Sequence, residues 1–420
     1  MRINFFKEKN KIKLNKNHNF DSDNTFSNEN PESNKCLASI SDDEYDHYGF
    51  EKSREAISVE DIDKEALEKR KRKIEKKYYT FLYIKRQKIY YIPIYTYFRI
   101  CMCMRIYFRE YILFIKMLII NFLCRWQQYF TVKRDIKKNY YLKKLIRKGI
   151  PDKFRMNIWP YLLGSVVLYT KYPTIYERCL NSEIEPKVLS QIELDMLRTF
   201  PHNKNYQLNA QGLTKLRNVL RAFAIYKPKI NYCQSMNFIA AITLLFLKEE
   251  LAFWSIVQLI DSDYSHKKIN ISDYYNHEMR GLRRDIIVIE ELIKIKFPNI
   301  YMHMKEFDVD VSWICSEWLL CLFCTAFPIT TTLRIWDCLF YEGDKILFRI
   351  VLALFKMNQE KLIKSNSLES ILYLFKESTK NMVESDKLMH TAFKEIGSLK
   401  KKKIKKLRMK ADDIIKRTVP

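Results

Sequence analysis

Glycine is scarce in this sequence of 420 residues, which contains only seven. No two glycines are spaced as in GxGxxG or GxxxxGK, so the sequence excludes the two common glycine-rich phosphate loops. Proline is also infrequent, at 11 residues. Because turns need these two residue types, their scarcity argues against a β-sandwich or a strand-rich α/β fold. The sequence therefore predicts an all-α protein that does not bind a nucleotide through a loop of its own.

The sequence also lacks a complete set of metal ligands at a recognisable spacing. The ten cysteines are scattered, and Cys321-x-x-Cys324 has no second ligand pair at zinc spacing and no histidine nearby. Since that pair lies in an apolar helical stretch, we expect it to pack in the core. No secretory or myristoylation signal is recognised, because the first residues lack an apolar run and residue 2 is Arg2. We therefore expect a cytoplasmic protein with reduced thiols and without a metal ion.

Positive charge is abundant: 74 Lys and Arg against 49 Asp and Glu give a net charge of +25. Eight basic residues lie between Lys400 and Lys410, and a thin apolar stripe accompanies them: Ile404, Leu407, Ala411 and Ile414. One interpretation is a final helix with a solvated face. The other is peripheral contact with an anionic membrane. No nucleic-acid recognition motif accompanies the charge, so we do not expect nucleic acid as a partner.

The composition changes along the chain and predicts four regions. Residues 1–78 form a polar, charged region, in which 1–64 are expected to be disordered and 65–78 to form a short, charged helix or its solvated continuation. Residues 126–410 have uniform helical periodicity, and 411–420 form a tail. Residues 79–125 are apolar, aromatic and basic. Their best window, Tyr111–Cys124, is shorter than the ~20 residues of a membrane span and contains Lys116, so a helix on a membrane surface or against the domain is favoured over a span. Retained intron sequence is a third interpretation.

Helical periodicity dominates from Trp126 onwards. One buried stripe recurs at helical spacing: Leu213, Leu216, Leu220 and Phe223. The segments Met236–Leu247 and Ile346–Phe355 are apolar almost all round, which predicts buried helices. We expect a bundle of roughly a dozen or more helices.

Two polar residues stand out. Arg198 is predicted near the last turn of a helix that Pro201 ends, on the side opposite its apolar face, and Asp195 lies three residues earlier, close enough to orient the guanidinium. Gln234 lies in a short connection between two apolar helices, where a carboxamide can both donate a hydrogen bond to a water molecule and accept one. Taken separately, each is best explained as an ordinary surface residue.

Taken together, ordered segments over residues 126–410 resemble the TBC domain, the Rab GTPase-activating domain. The segments are Arg147–Pro151 with Arg155 and Trp159, Leu162–Gly164, Ile192–Pro201, Leu216–Ala224, Tyr232–Asn237, Trp318–Phe323, Arg334–Asp337 and Glu342–Gly343. The resemblance implies a helical fold of two subdomains.

The resemblance also implies a mechanism. Arg198 matches the arginine finger of the IxxDxxR motif, and Gln234 matches the glutamine finger of the YxQ motif. Both would enter the nucleotide pocket of a GTP-bound Rab-type GTPase, where the arginine neutralises phosphate charge and the glutamine orients water. GTP and Mg²⁺ would belong to the partner, so no cofactor is expected here. Supporting roles fall to Asp195, Tyr232, Arg155 and Asn237. Arg155 is also expected to be structural, as are Trp159, Arg334, Trp336 and Asp337.

Two positions depart from the family pattern. Asn231 and Ser235 stand where the family favours glycine, before the tyrosine and after the glutamine of the YxQ motif. Asparagine tolerates a positive φ better than most residues, whereas serine adds a side chain at a position where glycine would permit close approach of the backbone. We expect an activator of Rab GTP hydrolysis in vesicle trafficking, peripheral on endomembranes. The alternative is a TBC-like scaffold that binds GTPases or effectors without catalysis.

Overall fold

The computed structural model describes residues 45–50, 126, 139–207, 210–261, 269 and 271–418. Within these ranges the regular secondary structure is helical, and the single β-bridge joins Phe50 to Asn203. The first eight described helices are α1 Tyr140–Lys148, α2 Asp152–Leu163, α3 Ser165–Lys171, α4 Ile175–Asn181, α5 Pro186–Met196, α6 Gln211–Tyr226, α7 Met236–Leu244 and α8 Glu249–Ile260. The next nine are α9 Arg280–Lys296, α10 Pro298–Glu306, α11 Val311–Leu320, α12 Ile329–Glu342, α13 Lys345–Met357, α14 Gln359–Ile363, α15 Leu368–Lys380, α16 Ser385–His390 and α17 Lys401–Thr418.

The helices fall into two groups. Helices α2 to α8 pack mainly on one another, with α6 and α8 at their centre, and the later helices gather around α9 and α13. Helix α12 joins the groups, because it packs on α13 in the second group and on α2 of the first, and α1 also packs on it. This arrangement confirms the predicted all-α fold of two subdomains.

A buried charge cluster lies where α2 meets α12. Asp337 is fully buried and accepts hydrogen bonds from Nε1 of Trp159 at 2.8 Å and from the backbone N–H of Ile150 at 2.8 Å. Arg155 donates to both Asp337 carboxylate oxygens, at 3.1 and 3.0 Å. An unpaired charge at such a depth would be costly, so these bonds fix the junction between the two groups. Trp159 and Asp337 have the structural role predicted for them.

The predicted helices are largely present. The stripe from Leu213 to Phe223 is buried in α6, and Ile346–Phe355 lies within α13. The helix predicted at Met236–Leu247 ends earlier, at Leu244, because the amides of residues 245–247 bond back in tight turns before α8. Cys321 and Cys324 are buried, as expected, but they lie in the turns after α11, which ends at Leu320, and not within a helix.

The C-terminal helix differs from its prediction. Helix α17 runs through the predicted 410/411 boundary to Thr418 and packs on α9 through Ile404, Ala411 and Ile415. Ile414, predicted for the buried stripe, is 47% exposed instead. Because the helix has 3.6 residues per turn, the residue after Ala411 that returns to the buried face is Ile415 and not Ile414.

Residues 45–50 correct the prediction of disorder over 1–64. They are folded onto the domain, and Tyr48 is only 6% exposed. The remainder of that region, the predicted helix at 65–78 and all of 79–125 lie outside the described residues. Among the helices that the structure describes, none is long and apolar enough to cross a bilayer.

Candidate functional site

Arg198 lies in the turn that follows α5. The helix ends at Met196, earlier than the proline predicted, so Arg198 lies after the helix and not in its last turn, and the chain turns through Thr199 and Phe200 before Pro201. The Arg198 side chain is 50% exposed and forms an ion pair with the carboxylate of Asp195, which is itself buried. A guanidinium held by a buried carboxylate keeps a preferred direction while its free face points to solvent.

Gln234 lies in the tight turn that precedes α7 and is exposed. The residues on both sides of it are held in unusual backbone conformations. Asn231 has a φ of 61°, and Ser235 has a φ of 101°. Both positions therefore have the backbone geometry that favours glycine. At Ser235, a residue with a Cβ, this backbone conformation is strained.

Two side-chain hydrogen bonds join the Arg198 turn to the Gln234 turn. The Tyr232 hydroxyl donates a short hydrogen bond to the Asp195 carboxylate. Asn237 donates from Nδ2 to Oγ1 of Thr199 at 2.8 Å, and its Oδ1 accepts from the backbone N–H of Ser235 at 3.1 Å. The Thr199 hydroxyl donates in turn to the backbone carbonyl of Asp195 at 2.6 Å. We call this set of contacts the linking network.

The linking network is buried beneath an exposed surface. Thr199 and Asn237 are fully buried, and Asp195 is 3% exposed. Burial, together with the neighbouring Asp195 carboxylate, raises the pKa of the Tyr232 hydroxyl far above its ordinary value, so the hydroxyl stays protonated and donates. Burial and the same carboxylate raise the pKa of the Cys233 thiol to about 11. The negative charge in this network therefore resides on Asp195, opposite the Arg198 guanidinium.

Of the four supporting residues predicted from the sequence, three lie in the linking network: Asp195, Tyr232 and Asn237. Arg155 does not, because its hydrogen bonds go to Asp337 and Asp152 at the junction of the two helix groups. Arg334 pairs with Asp386 at 2.9 Å, also away from the network.

Sequence reasoning missed two contributors to the site. Thr199 was read only as part of a motif, although its hydroxyl connects the two turns. Phe200 has a φ of 45°, and its ring contacts Phe238 of α7 edge-on, with the ring centroids 5.2 Å apart. The sequence around Thr199 and Phe200 does not indicate these contacts, because both are made with residues that are distant in the chain.

The site offers a cation and a carboxamide and little else. The described residues contain no cluster of three or more potential metal ligands. The neighbouring thiol and phenol are both protonated at neutral pH, so neither is an activated nucleophile. Such a surface can stabilise negative charge and orient a water molecule on another molecule.

Comparison with known proteins adds the family context. The Rab-GTPase-TBC domain family matches residues 152–363. Growth hormone-regulated TBC protein 1-A of Danio rerio is 35% identical over 289 residues, which cover 68% of this chain and 79% of the relative. TBC1 domain family member 2B of Homo sapiens is 33% identical over 292 residues, which are 68% of this chain and 30% of that longer protein.

Two solved structures share the fold. The Chlamydomonas flagellar RabGAP TBC domain is 31% identical, with a TM-score of 0.59, and the match covers 66% of this chain and 92% of that one. The Ypt/Rab-GAP domain of Gyp1p superposes with a TM-score of 0.55 at 20% identity, covering 66% of this chain and 98% of that one.

Proposed function

Because the chain belongs to the Rab-GTPase-TBC domain family, we propose that it accelerates GTP hydrolysis by a Rab-type GTPase through Arg198 and Gln234, the two finger residues. Both are exposed, and the linking network joins the turns that carry them. This shared, buried support is the observation on which the proposal rests. The partner GTPase, in its GTP-bound form, supplies the nucleotide and Mg²⁺.

In the proposed reaction the GTPase holds the γ-phosphate, and a water oxygen attacks it while the bond to the β–γ bridging oxygen breaks. Charge on the phosphate oxygens must be stabilised in that transition state. The Arg198 guanidinium supplies positive charge, and its ion pair with Asp195 limits the directions that it samples. The Gln234 carboxamide accepts one hydrogen bond from the water and donates another to it, and these two bonds orient the water for attack.

The test is phosphate release from a panel of GTP-loaded Rab proteins, with and without this protein. We expect acceleration of at least one Rab. An arginine finger contributes about 10³–10⁵ in rate, so Arg198→Ala should remove nearly all of the acceleration, and Gln234→Ala should cause a similar or somewhat smaller loss. Matched controls are Arg283→Ala and Gln359→Ala in the second helix group, where Arg283 is exposed and Gln359 half-buried. Both should leave the rate unchanged.

The alternative is a scaffold that binds GTPases without catalysis. It predicts that wild type and Arg198→Ala bind a GTP-loaded Rab equally while neither accelerates hydrolysis. Equal acceleration by wild type and Arg198→Ala would instead exclude the arginine mechanism.

The basic face of α17 suggests where the protein acts. Ile404 and Ala411 are buried, whereas six lysines of the helix are exposed: Lys401, Lys402, Lys403, Lys405, Lys406 and Lys410. Each cation near an anionic surface contributes about 1 kcal/mol of binding. We therefore extend the proposal to peripheral contact with the membrane that carries the GTPase. Co-sedimentation with phosphatidylcholine vesicles, with and without phosphatidylserine, tests this, and binding that ignores the anionic lipid would contradict it.

A further inference from the structure

Residues 45–50 form a tight turn, which we call the N-terminal clasp. Its turn is closed by Asp46, whose carboxylate accepts the backbone N–H of Tyr48 at 3.0 Å and that of Phe50 at 2.8 Å. The backbone N–H of Gly49 donates to the carbonyl of Asp46 at 2.9 Å. The clasp precedes the region matched by the family, which begins at residue 152.

The clasp is docked on the loop that follows Arg198. The backbone N–H of Lys204 donates to the Gly49 carbonyl at 2.6 Å, and Nδ2 of Asn203 donates to the Tyr48 carbonyl at 3.1 Å. Asn203 is fully buried and is also the bridge partner of Phe50. These bonds satisfy backbone groups on both segments, as an added strand does at a sheet edge.

Gly49 is required at this contact for two reasons. Its φ is +82°, and a Cβ added there would lie 2.5 Å from Nδ2 of Asn205 and 2.9 Å from Cγ of Lys204. Any side chain would therefore push the clasp away from the loop.

Three aromatic rings form a chain of contacts that leads from the clasp to the turn of Arg198 and on to α7, the helix that follows Gln234. Phe50 contacts Phe200 edge-on at 5.2 Å between ring centroids, and Phe200 contacts Phe238 in the same way at 5.2 Å. Phe200 lies two residues after Arg198, and Phe238 lies four residues after Gln234. Because Phe200 holds a φ of 45°, its conformation must be maintained by surrounding contacts, and Phe50 supplies one of them.

A second anchor fixes the clasp from its other side. The Tyr48 ring is buried 5.8 Å from that of Phe246, which in turn packs 4.9 Å from Trp159. Nε2 of His47 lies 3.1 Å from the Asp152 carboxylate. The clasp therefore spans from the junction of the two helix groups to the Arg198 turn.

We propose that the N-terminal clasp is a positioning element of the catalytic surface, in which Phe50 and Gly49 hold the Phe200 turn and so set the direction of Arg198. The proposal rests on the proposed GTPase-activating function. The clasp leaves the Arg198 side chain half exposed, so it supports that residue and does not cover it.

The experiment uses the full chain with Gly49→Ala, Phe50→Ala and a matched control, Gly164→Ala. Gly164 has the same φ of +82°, but an added Cβ there meets no atom within 4 Å. Two readouts are needed: the kinetics of Rab GTP hydrolysis, and hydrogen exchange at the Lys204 amide, which bonds to the clasp. Gly49→Ala and Phe50→Ala should lower kcat by about tenfold or more while KM for the GTP-loaded Rab changes less than about twofold. The Lys204 amide should exchange faster in Gly49→Ala than in Gly164→Ala.

One further comparison separates positioning from general destabilisation. Phe50→Tyr should restore most of the rate, since it keeps the ring.

The outcomes distinguish the two proposals. An active wild type with an equally active Gly49→Ala, or unchanged exchange at Lys204, would overturn the clasp proposal alone. An equal loss of kcat in Gly164→Ala would also overturn it. A wild type that accelerates no Rab would defeat the proposed function, and the catalytic role of the clasp with it.

Discussion

Asn237 donates a hydrogen bond from its carboxamide to the hydroxyl of Thr199 at 2.8 Å, although the two residues are 38 positions apart in the chain. Both side chains are fully buried. Each is also close to an exposed residue of the candidate site: Thr199 follows Arg198, and Asn237 is the second residue of α7, three positions after Gln234. The contact fixes one exposed turn relative to the other.

Replacing Asn237 should therefore uncouple the finger residues. Asn237→Ala removes the bonds to Thr199 and to the Ser235 amide, and it leaves buried partners unsatisfied at a cost of about 1–3 kcal/mol. We expect kcat for Rab GTP hydrolysis to fall by about tenfold or more, because small displacements of catalytic groups are expensive.

The matched control for this prediction is Asn358→Ala. Asn358 is also a buried asparagine, and it bonds to Leu354 and Ser378 in the second helix group. It should lower the free energy of unfolding comparably and leave kcat unchanged. If both variants lost the same fraction of kcat, the linking network would have no specific role.

Ser235 carries backbone strain that glycine would relieve. Its φ of 101° is unfavourable for a residue with a Cβ, while glycine adopts it readily. Ser235→Gly should raise the free energy of unfolding by about 1 kcal/mol, after allowing for the larger entropy of glycine in the unfolded state. Urea unfolding followed by circular dichroism measures this change, and phosphate release should show activity that is equal or higher. A destabilised Ser235→Gly variant would indicate that the serine side chain has a compensating role.

Leu194 and Leu197 form an apolar patch beside Arg198, and each is 68% exposed. We expect a partner GTPase to cover this patch on binding. Leu197→Ser should raise KM for the GTP-loaded Rab several-fold with little change in kcat, because it removes binding shared by the ground and transition states. Met302 is 66% exposed in the second helix group, so Met302→Ser is the matched control and should leave KM unchanged. A fall in kcat without a rise in KM would contradict this interpretation.

The Glu342 carboxylate makes the free energy of unfolding depend on pH in the acid range. Burial alone would raise its pKa, but hydrogen bonds from Arg147 and Lys345 outweigh burial and lower the pKa from 4.5 to about 2. A carboxylate with a depressed pKa stabilises the fold above its unfolded pKa, and that contribution disappears as the pH falls towards 2. We expect a loss of about 3 kcal/mol in the free energy of unfolding between about pH 5 and pH 2.

Glu342→Gln should show a weaker acid dependence and a lower stability at pH 7, as measured by urea unfolding across this range. Asp386→Asn is the control, since Asp386 is 93% exposed in its ion pair with Arg334 and should behave like wild type. An acid dependence that is unchanged in Glu342→Gln would assign the effect to other carboxylates.

Local patterns in the sequence predicted the fold class and the exposure of the finger residues. Helical spacing of apolar residues, such as Leu216 and Leu220, determines which face of α6 is buried, whatever that face packs against. Pro201 limits how far α5 can extend, because it disfavours helical geometry at Phe200, although α5 ends earlier, at Met196. The Asp195–Arg198 pair is similarly local, since three residues separate its members.

Only the tertiary structure decided how these parts meet. Asn237 reaches Thr199, and the N-terminal clasp reaches Asn203, because distant segments pack side by side, and no spacing within either segment encodes such a contact. The clasp also lies in a polar stretch whose composition resembles disorder. Three aromatic side chains and one glycine there are ordered by a surface that exists only after the helices have assembled.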